Sequence, residues 1–358
     1  MLLNSNSIHP ITQKLLDWYF INKRDLPWRD QPAAYNVWIA EIVFQQTRID
    51  QGLAYYDRLL KRFPSIYKLA EAEEQEVLKV WEGLGYYSRA RNLHHTAKRI
   101  VNEYNGVFPS DYKTILSLKG IGPYTAAAIS SIAFSGVHPA IDGNVLRVAS
   151  RLYCIELPVD IQRTYKIILE KLLSIIDPDH PGDFNQAMME LGALICIPQQ
   201  PKCDICPLAE HCEAFKLGVQ NELPIKKKKS KSKEMHYNYY LFYSDDEILI
   251  EKREKGIWIN LYQFPLLESE KIIDDQAQEK FLNEHGIEKN AVIFESEIFK
   301  HILSHIVIFA RFYMVKLDRI DNFKSYLKIT KEELEEFPMP RIIHRFLNTK
   351  KAKQNLLM

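Results

Sequence analysis

The sequence predicts a multi-domain protein with a mainly α-helical N-terminal domain and an α+β C-terminal domain. Before residue 222, apolar residues recur at intervals of three and four, the spacing of one face of an α-helix. After residue 234, alternating runs rich in aromatic and β-branched residues replace that pattern. Between them, the segment ELPIKKKKSKSK contains six lysines, one glutamate and almost nothing to bury, which indicates a solvated linker.

We therefore predict a helical domain over 1–221, a basic linker over 222–234 and an α+β domain over 235–358. The length of 358 residues suits about two or three domains. The chain is 46% hydrophobic and 26% charged, as is usual for a globular protein that buries a core. Its formal net charge is only +1, so any surface that binds nucleic acid must be locally basic.

The N-terminal residues lack the basic start and apolar run of a signal peptide. The longest apolar runs, such as IVIFA, are too short to span a bilayer. We therefore expect no membrane partner and a reducing, cytoplasmic setting.

Four of the five cysteines share one short segment, 196–212, and these are Cys196, Cys203, Cys206 and Cys212. A reducing setting argues against disulfides, and ligation by four sulfurs leaves zinc or an iron–sulfur cluster. Zinc ribbons usually have two C-x2-C pairs, whereas this segment has one such pair and unequal loops. We predict one [4Fe–4S] cluster, with zinc as the alternative. The fifth cysteine, Cys154, is predicted to be a small buried residue of an apolar helix.

Two helical stretches flank the segment K-G-I-G-P, within residues 113–135. Gly120 and Gly122 permit a tight turn, and Pro123 suits the first position of the second helix. Such a turn leaves N–H groups at a helix N-terminus, where they can bind a phosphate. The pattern predicts a helix–hairpin–helix that binds one DNA strand by its backbone. An ordinary pair of antiparallel helices is the alternative.

Two carboxylates are candidates for chemistry at a sugar–base bond. Asp142 precedes a helix in the segment PAIDGNV, where it could act only as an N-cap. A carboxylate there could instead stabilise the cationic sugar formed when an N-glycosidic bond breaks. Glu41 has Val37 and Trp38 near it at helical spacing, so desolvation should raise its pKa and let it donate a proton. The alternatives for Glu41 are exposure to solvent or pairing with Arg48.

Seven segments together resemble the adenine DNA glycosylases of the MutY type, within the endonuclease III superfamily. They run in order from about residue 24 to residue 212 and are RDLPWRD, VWIAEIVFQQTR, WEGLGYYSRARNL, LKGIGPYTAAAI, AIDGNVLRV, FNQAMMELGALIC and the four-cysteine segment. The resemblance implies a helix–hairpin–helix glycosylase domain with an iron–sulfur module. It also implies base excision repair by a monomer that removes adenine opposite 8-oxoguanine or guanine in duplex DNA, after flipping the adenine out. In a bacterium the protein would be associated with the nucleoid.

The resemblance also implies roles for individual residues. Glu41 matches the acid that protonates adenine N7, Asp142 the carboxylate that stabilises or captures the sugar cation, and Asn144 its neighbour. The other matches concern contacts with DNA: Gln46 and Tyr86 near the lesion pair, Arg29, Phe44 and Gln186 in the adenine pocket, Gly120 and Gly122 in the hairpin, and Lys202 in a basic loop shaped by the cluster.

Tyr124 distinguishes two branches of the superfamily. The branch similar to endonuclease III has a lysine at this position, and its amine attacks C1′ before the strand is cut. Here the residue is Tyr124, and Lys119 is the one close substitute. We predict a monofunctional glycosylase with weak lyase activity at most. A bifunctional glycosylase/lyase is the alternative. A non-catalytic DNA-scanning or redox protein is a third hypothesis, against which Glu41 and Asp142 argue.

The C-terminal segment GIWINLYQFPLLE is similar to the Nudix-like domain of the same family. No G-x5-E-x7-R-E-x2-E-E box follows it, so we expect no pyrophosphatase activity. Relatives read 8-oxoguanine with a Phe-Ser-His turn, which here is Leu303-Ser304-His305. Ser304 is expected to hydrogen-bond the oxidised base and His305 to support the turn or bind a phosphate. Leu303 lacks the aromatic ring, and a plain hairpin turn is the alternative.

Overall fold

The computed structural model describes residues 8–30, 32–227, 232–320 and 323–356. The chain forms two compact units. The helical unit comprises residues 1–71 and 92–228, and the sheet unit comprises residues 72–91 and 229–358. Residues 228–231 of the predicted linker lie outside the described residues.

Within the described residues, sixteen α-helices cover most of the helical unit and parts of the sheet unit. They are α1 (Pro10–Asn22), α2 (Pro27–Asp30), α3 (Ala34–Val43), α4 (Ile49–Arg62), α5 (Ile66–Glu71), α6 (Glu74–Val80), α7 (Ser88–Tyr104), α8 (Tyr112–Leu116), α9 (Pro123–Phe134), α10 (Gly143–Leu152), α11 (Gln162–Leu173), α12 (Pro181–Leu194), α13 (Glu213–Lys216), α14 (Asp275–Glu284), α15 (Arg341–Leu347) and α16 (Lys350–Leu356).

Local sequence explains where the helices of the site begin. Pro123 opens α9 directly after Gly122, and its missing N–H is no loss at a helix start. Asp142 precedes α10 and accepts a hydrogen bond from the backbone N–H of Val145 at 2.7 Å. These two helix starts carry the hairpin and one candidate carboxylate.

The apolar faces of α1, α10, α11 and α12 form the core of the helical unit. Leu15, Tyr19, Val148, Phe184 and Leu191 are among its buried members. Separately, α3 packs against α9, and α9 also packs against α12. This packing positions residues of α3, α9 and α12 around one site.

The sheet unit contains one mixed eight-stranded sheet among its described residues, in the order β3-β2-β1-β7-β5 with three strands off that path. The strands are β1 (Lys233–Tyr243), β2 (Glu247–Lys252), β3 (Tyr262–Gln263), β4 (Leu266–Ser269), β5 (Val292–Glu295), β6 (Phe299–Ile302), β7 (Ile306–Lys316) and β8 (Leu327–Thr330). The long strands β1 and β7 pair in parallel, from Lys233↔Ile306 to Tyr243↔Lys316. The mixed sheet and its flanking helices confirm the predicted α+β fold.

Both faces of the central strands are covered, which explains the nearly continuous apolar run in β1. Tyr239 and Leu241 face a core shared with α15 and α16. Tyr240 and Phe242 face a second core that includes Leu282 of α14. The alternation of side chains along a strand therefore serves two cores rather than a core and solvent.

Residues 72–91 belong to the sheet unit, whereas the sequence predicts a helical domain over 1–221 that includes them. Their polar side chains explain the difference. Arg91 donates to the carbonyl of Ile259 at 2.7 Å, and the amide of Asn260 hydrogen-bonds Glu74. Helical periodicity identified α6 correctly, but it does not tell which neighbour a helix packs against.

The prediction that Cys154 lies buried inside a helix is wrong. The helix α10 ends at Leu152, and Cys154 follows in a turn with a φ of 47° and a half-buried side chain. A residue in the left-handed region ends a helix, and the apolar spacing of this segment gave no sign of that turn. Separately, no helix in the described parts of the chain has the length and apolar character needed to cross a membrane.

Candidate active site

Glu41 lies on α3 with only 9% of its surface exposed, among the fully buried Val37 and Trp38. Burial raises its pKa, a hydrogen bond from Tyr124 lowers it, and the nearby charge of Asp142 raises it, giving a pKa of about 7. A carboxyl with this pKa is largely protonated just below neutral pH, as a general acid must be. The structure therefore agrees with the desolvated acid rather than with a solvent-exposed glutamate.

Tyr124, on α9, joins Glu41 and Asp142 in one electrostatic cluster. Burial raises the pKa of Tyr124 well above its usual value, and the charges of both carboxylates raise it further. Its hydroxyl oxygen also lies 3.3 Å from the sulfur of Met189 on α12. The phenol therefore stays neutral and holds the side chain of Glu41 in place by a hydrogen bond.

Asp142 is both an N-cap and a member of this cluster. One carboxylate oxygen accepts the Val145 N–H at 2.7 Å, and the other accepts the amide of Asn144 at 2.8 Å. Burial raises the pKa of Asp142, while these hydrogen bonds act in the opposite direction. Asp142 can therefore cap α10 and also stabilise a cation. The hydrogen bonds of the cap use lone pairs of the carboxylate, and its negative charge remains.

A chain of hydrogen bonds joins Asp142 to the cysteine segment. Arg147 donates to the side-chain oxygen of Asn144 at 2.9 Å and to the carbonyl of Cys196 at 2.7 Å. Arg151, which is 2% exposed, lies with its guanidinium 3.4 Å from the sulfur of Cys196. Both arginines are buried. The sequence did not predict their role, because they look like ordinary basic residues of an amphipathic helix.

Arg29 and Gln186 lie together, as the resemblance implies. The guanidinium of Arg29 donates to the Gln186 amide oxygen at 3.2 Å and to Glu190 at 2.9 Å. Burial alone would raise the pKa of Glu190, but hydrogen bonds from Arg24 and Arg29 outweigh it and lower that pKa to about 2. Glu190 was missed, although its position four residues after Gln186 on α12 indicates a shared helix face.

Two buried glutamates of the helical unit therefore differ in charge. Glu190 is held ionised by two arginines, whereas Glu41 is held largely neutral by its apolar surroundings at a pKa of about 7. Pairs of acids whose environments separate their pKa values are typical of acid–base sites. Of these two acids, Glu41 is therefore the one that could donate a proton near neutral pH.

Three further predicted contact residues lie at or near the surface. Phe44 caps α3 and packs against Trp28, with ring centroids 4.8 Å apart. Gln46 is exposed and has a φ of 56°. Tyr86, in the sheet unit, is 45% exposed and has a φ of 49°. Left-handed backbone is uncommon outside glycine and often marks functional positions.

The hairpin forms as predicted between α8 and α9. Gly120 has a φ of +82°, and a Cβ there would lie 2.6 Å from the Cβ of Asn92. Gly122 caps α9 without any side-chain hydrogen bond, and a Cβ at Gly122 would meet nothing within 4 Å. Lys119 is exposed on the turn. The first turn of α9 is therefore not capped by a side chain and suits a phosphate.

The four cysteine side chains line one cavity together with Arg151 and Lys202. Burial, together with the charges of the neighbouring thiols, raises the pKa of Cys206 to about 11. Buried thiols need a positive centre to ionise, and a metal cluster supplies one. Within the described residues no three candidate ligands form a ready-made site for a metal ion, so the fit rests on the sulfur donors and their shared cavity. Lys202, predicted to contact a DNA phosphate, is exposed.

Ser304 and His305 form the turn between β6 and β7. Both are exposed, and the Ser304 hydroxyl lies 2.9 Å from Nδ1 of His305. The backbone N–H of Leu303 donates to the carbonyl of Ile306 at 2.8 Å, which closes the hairpin. This geometry agrees both with an ordinary hairpin turn and with a turn that contacts 8-oxoguanine. In either case the side chains of Ser304 and His305 are exposed to solvent.

Three family models match the chain. Residues 39–177 match the HhH-GPD superfamily of base excision DNA repair proteins, and residues 238–349 match the NUDIX domain. Residues 196–212 match the iron–sulfur binding domain of endonuclease III, which is the predicted cysteine segment. These matches confirm the predicted fold class and support an iron–sulfur cluster rather than zinc.

Among solved structures, a thermostable thymine-DNA glycosylase is 27% identical, with a TM-score of 0.53. The match covers 57% of this chain and 95% of that one. An endonuclease III in a non-covalent complex with DNA has a TM-score of 0.50 at 23% identity, covering 58% of this chain and 95% of that one. The second likeness shows the fold alone.

Curated relatives cover nearly the whole chain. The adenine DNA glycosylase of Buchnera aphidicola subsp. Schizaphis graminum is 37% identical over 328 residues, covering 90% of this chain and 92% of the relative. That of Arabidopsis thaliana is 34% identical over 360 residues, covering 85% of this chain but only 57% of the plant protein. The chain belongs to the adenine DNA glycosylase family.

Proposed function

We propose that this protein is a monofunctional DNA glycosylase that removes adenine opposite 8-oxoguanine or guanine by hydrolysing its N-glycosidic bond. One observation carries the proposal. A buried glutamic acid with a pKa of about 7 shares one electrostatic cluster with Tyr124 and the half-buried Asp142. The curated relatives, named adenine DNA glycosylases, support adenine as the base.

In the proposed reaction, the extruded adenine accepts a proton from Glu41, and the bond between C1′ and the base breaks. The bonding electrons leave with the base, so the sugar becomes an oxocarbenium ion. Asp142 stabilises this cation, or captures it, across the site. Water then adds to C1′, and its proton returns to a carboxylate. The products are free adenine and an abasic site.

Tyr124 supports a reaction that stops at the abasic site. A lyase needs an amine that can attack C1′, and this position holds a neutral phenol that hydrogen-bonds Glu41. Lys119 lies exposed on the hairpin turn, and the cluster of Glu41, Tyr124 and Asp142 contains no amine. We therefore propose hydrolysis without strand cleavage, rather than the bifunctional alternative.

A single-turnover incubation tests the proposal directly. A duplex with adenine opposite 8-oxoguanine is expected to be cut at the adenine only after treatment with alkali. Borohydride is expected to trap little or no covalent protein–DNA complex. An uncut duplex would contradict the glycosylase, and efficient trapping would contradict monofunctionality.

The turn at Ser304 and His305 is proposed to read the oxidised base. Replacing both residues by alanine removes one hydroxyl and one imidazole from an exposed turn, so the fold should persist. We expect the preference for 8-oxoguanine over guanine to fall by roughly 10-fold, about the value of one or two lost hydrogen bonds. Single-turnover rates on the two duplexes measure this preference. An unchanged ratio would show that the turn does not read the base.

We propose that the iron–sulfur centre is one [4Fe–4S] cluster held by Cys196, Cys203, Cys206 and Cys212. It would shape the loop that presents Lys202 to a DNA phosphate and take no part in the chemistry. The purified protein is expected to be brown, with a broad absorbance near about 400 nm and roughly four irons per chain. A colourless protein containing one zinc would contradict this assignment. Ligation by four cysteine sulfurs suits a reducing compartment, so we propose a cytoplasmic location. We propose that the protein acts there as a monomer.

A further inference from the structure

The segment that carries Tyr86 hydrogen-bonds both backbone polar groups of one residue of the sheet unit, Met339. A carboxylate oxygen of Glu82 accepts the N–H of Met339 at 2.8 Å. The hydroxyl of Tyr87 donates to the carbonyl of the same Met339 at 3.3 Å. Met339 is fully buried in the core beside α15. We call these two contacts the Met339 clasp.

Glu82 makes the clasp from a partly buried position, where its side chain is 16% exposed. The oxygen that binds Met339 also accepts Nε2 of His344 at 2.8 Å, and the other oxygen accepts Nζ of Lys79 at 2.8 Å. Burial would raise the pKa of Glu82, but these hydrogen bonds outweigh it and keep that pKa below its usual value. Glu82 is therefore ionised, and both of its carboxylate oxygens accept hydrogen bonds.

The clasp continues directly into the loop that ends at Tyr86. The N–H of Gly83 donates to the Tyr87 hydroxyl at 3.2 Å, and the indole of Trp81 donates to the carbonyl of Gly85 at 3.0 Å. The backbone is left-handed at Gly83, Gly85 and Tyr86, with φ values of 92°, 80° and 49°. A non-glycine residue keeps such a conformation only where its surroundings impose it.

We propose that Glu82 is a positioning residue that holds the exposed Tyr86 ring ready for the DNA lesion through the Met339 clasp. The inference rests on the proposed function, in which Tyr86 inserts beside the lesion pair. Tyr86 belongs to the same compact unit as Ser304 and His305, the turn that is proposed to recognise 8-oxoguanine. The acid–base residues Glu41 and Asp142 belong to the other unit.

A double-mutant cycle separates positioning from a general effect on stability. Glu82→Ala is expected to slow single-turnover adenine release about 10-fold, within the range of coupled neighbours. Tyr86→Ala should slow it at least as much. If Glu82 acts through Tyr86, the double variant is no slower than Tyr86→Ala. Multiplied losses in the double variant would overturn the proposal.

Two matched variants and a second measurement complete the test. Glu82→Gln keeps an oxygen for the Met339 N–H and should restore most of the rate, and Glu279→Ala, an exposed glutamate of α14, should have no effect. Hydrogen exchange at residues 83–87 should accelerate in Glu82→Ala while β1 and β7 stay protected. Unchanged exchange there would also overturn the proposal. If the wild-type protein does not release adenine, the proposed function is contradicted instead. Hydrogen exchange at residues 83–87 then still tests whether the Met339 clasp holds the loop.

Discussion

Replacing Glu41 with glutamine is expected to lower the single-turnover rate of adenine release by about 10²–10⁴-fold, the usual contribution of a general acid. Glutamine has nearly the same shape and can still accept the hydrogen bond from Tyr124, so the site should keep its structure. It has no proton to give to the base. Quenched-flow measurement of adenine release provides the rate. The matched control is Glu170→Gln, an exposed glutamate of α11, which should react like the wild type.

The same residue sets the expected pH dependence. The acid form of Glu41 is required, and its pKa is about 7, so the wild-type rate should fall roughly tenfold per pH unit above that value. Below it the rate should level off, and it should fall again in acid because protonation of Asp142 removes the stabilising charge. In Glu41→Gln the residual rate should not change between about pH 7 and 9. A wild-type profile without a fall above neutrality would contradict the assignment.

Glu41→Gln should lower the rate of adenine release but raise the stability of the folded protein above neutral pH. The pKa of Glu41 is raised from 4.5 to about 7 in the folded state, so its ionisation favours unfolding. Its stabilising effect is complete below the unfolded pKa and is lost as pH rises through about 7. At pH 8, Glu41→Gln should therefore raise the free energy of unfolding by about 3 kcal/mol. At pH 4 the difference should vanish, and urea unfolding at the two values measures it.

The sequence predicted those parts of the site that depend on local pattern. Glu41, Asp142, the hairpin glycines and the four cysteines each stand in a short segment whose residues limit the possible conformations. Asp142 before Gly143 predicts a helix start, and the structure has one there. The cysteine spacing likewise limits the ligand set before any fold is known.

Tertiary partners could not be predicted in the same way. Glu190 looks like any glutamate on a helix, and only the fold brings Arg24 and Arg29 against it. The grouping of residues 72–91 with the sheet unit depends on contacts with residues more than 150 positions later. Periodicity reports which face of a helix is buried, whereas the identity of the neighbour is decided by packing.

Replacing Asp142 with asparagine is expected to lower the rate of adenine release by about 10³-fold, similar to the loss of a main electrostatic stabiliser. Asparagine keeps an oxygen that can accept the Val145 N–H, so the cap of α10 should remain. What disappears is the negative charge opposite the sugar cation. Loss of this charge should also lower the pKa of Glu41, because Asp142 helps to raise it. Binding of the damaged duplex should change little while the chemical step slows.

The control for this substitution is another N-cap aspartate. Asp274 caps α14 in the same way, accepting the Ala277 N–H at 2.8 Å, so Asp274→Asn changes the same group in the sheet unit. It should leave the rate at the wild-type value. If the two variants lose activity equally, the effect of Asp142 comes from capping and folding. If only Asp142→Asn is slow, and it has the melting temperature of the wild type, the carboxylate acts on the sugar. In both variants an asparagine still accepts the N-cap hydrogen bond, so loss of the cap cannot explain the slower rate.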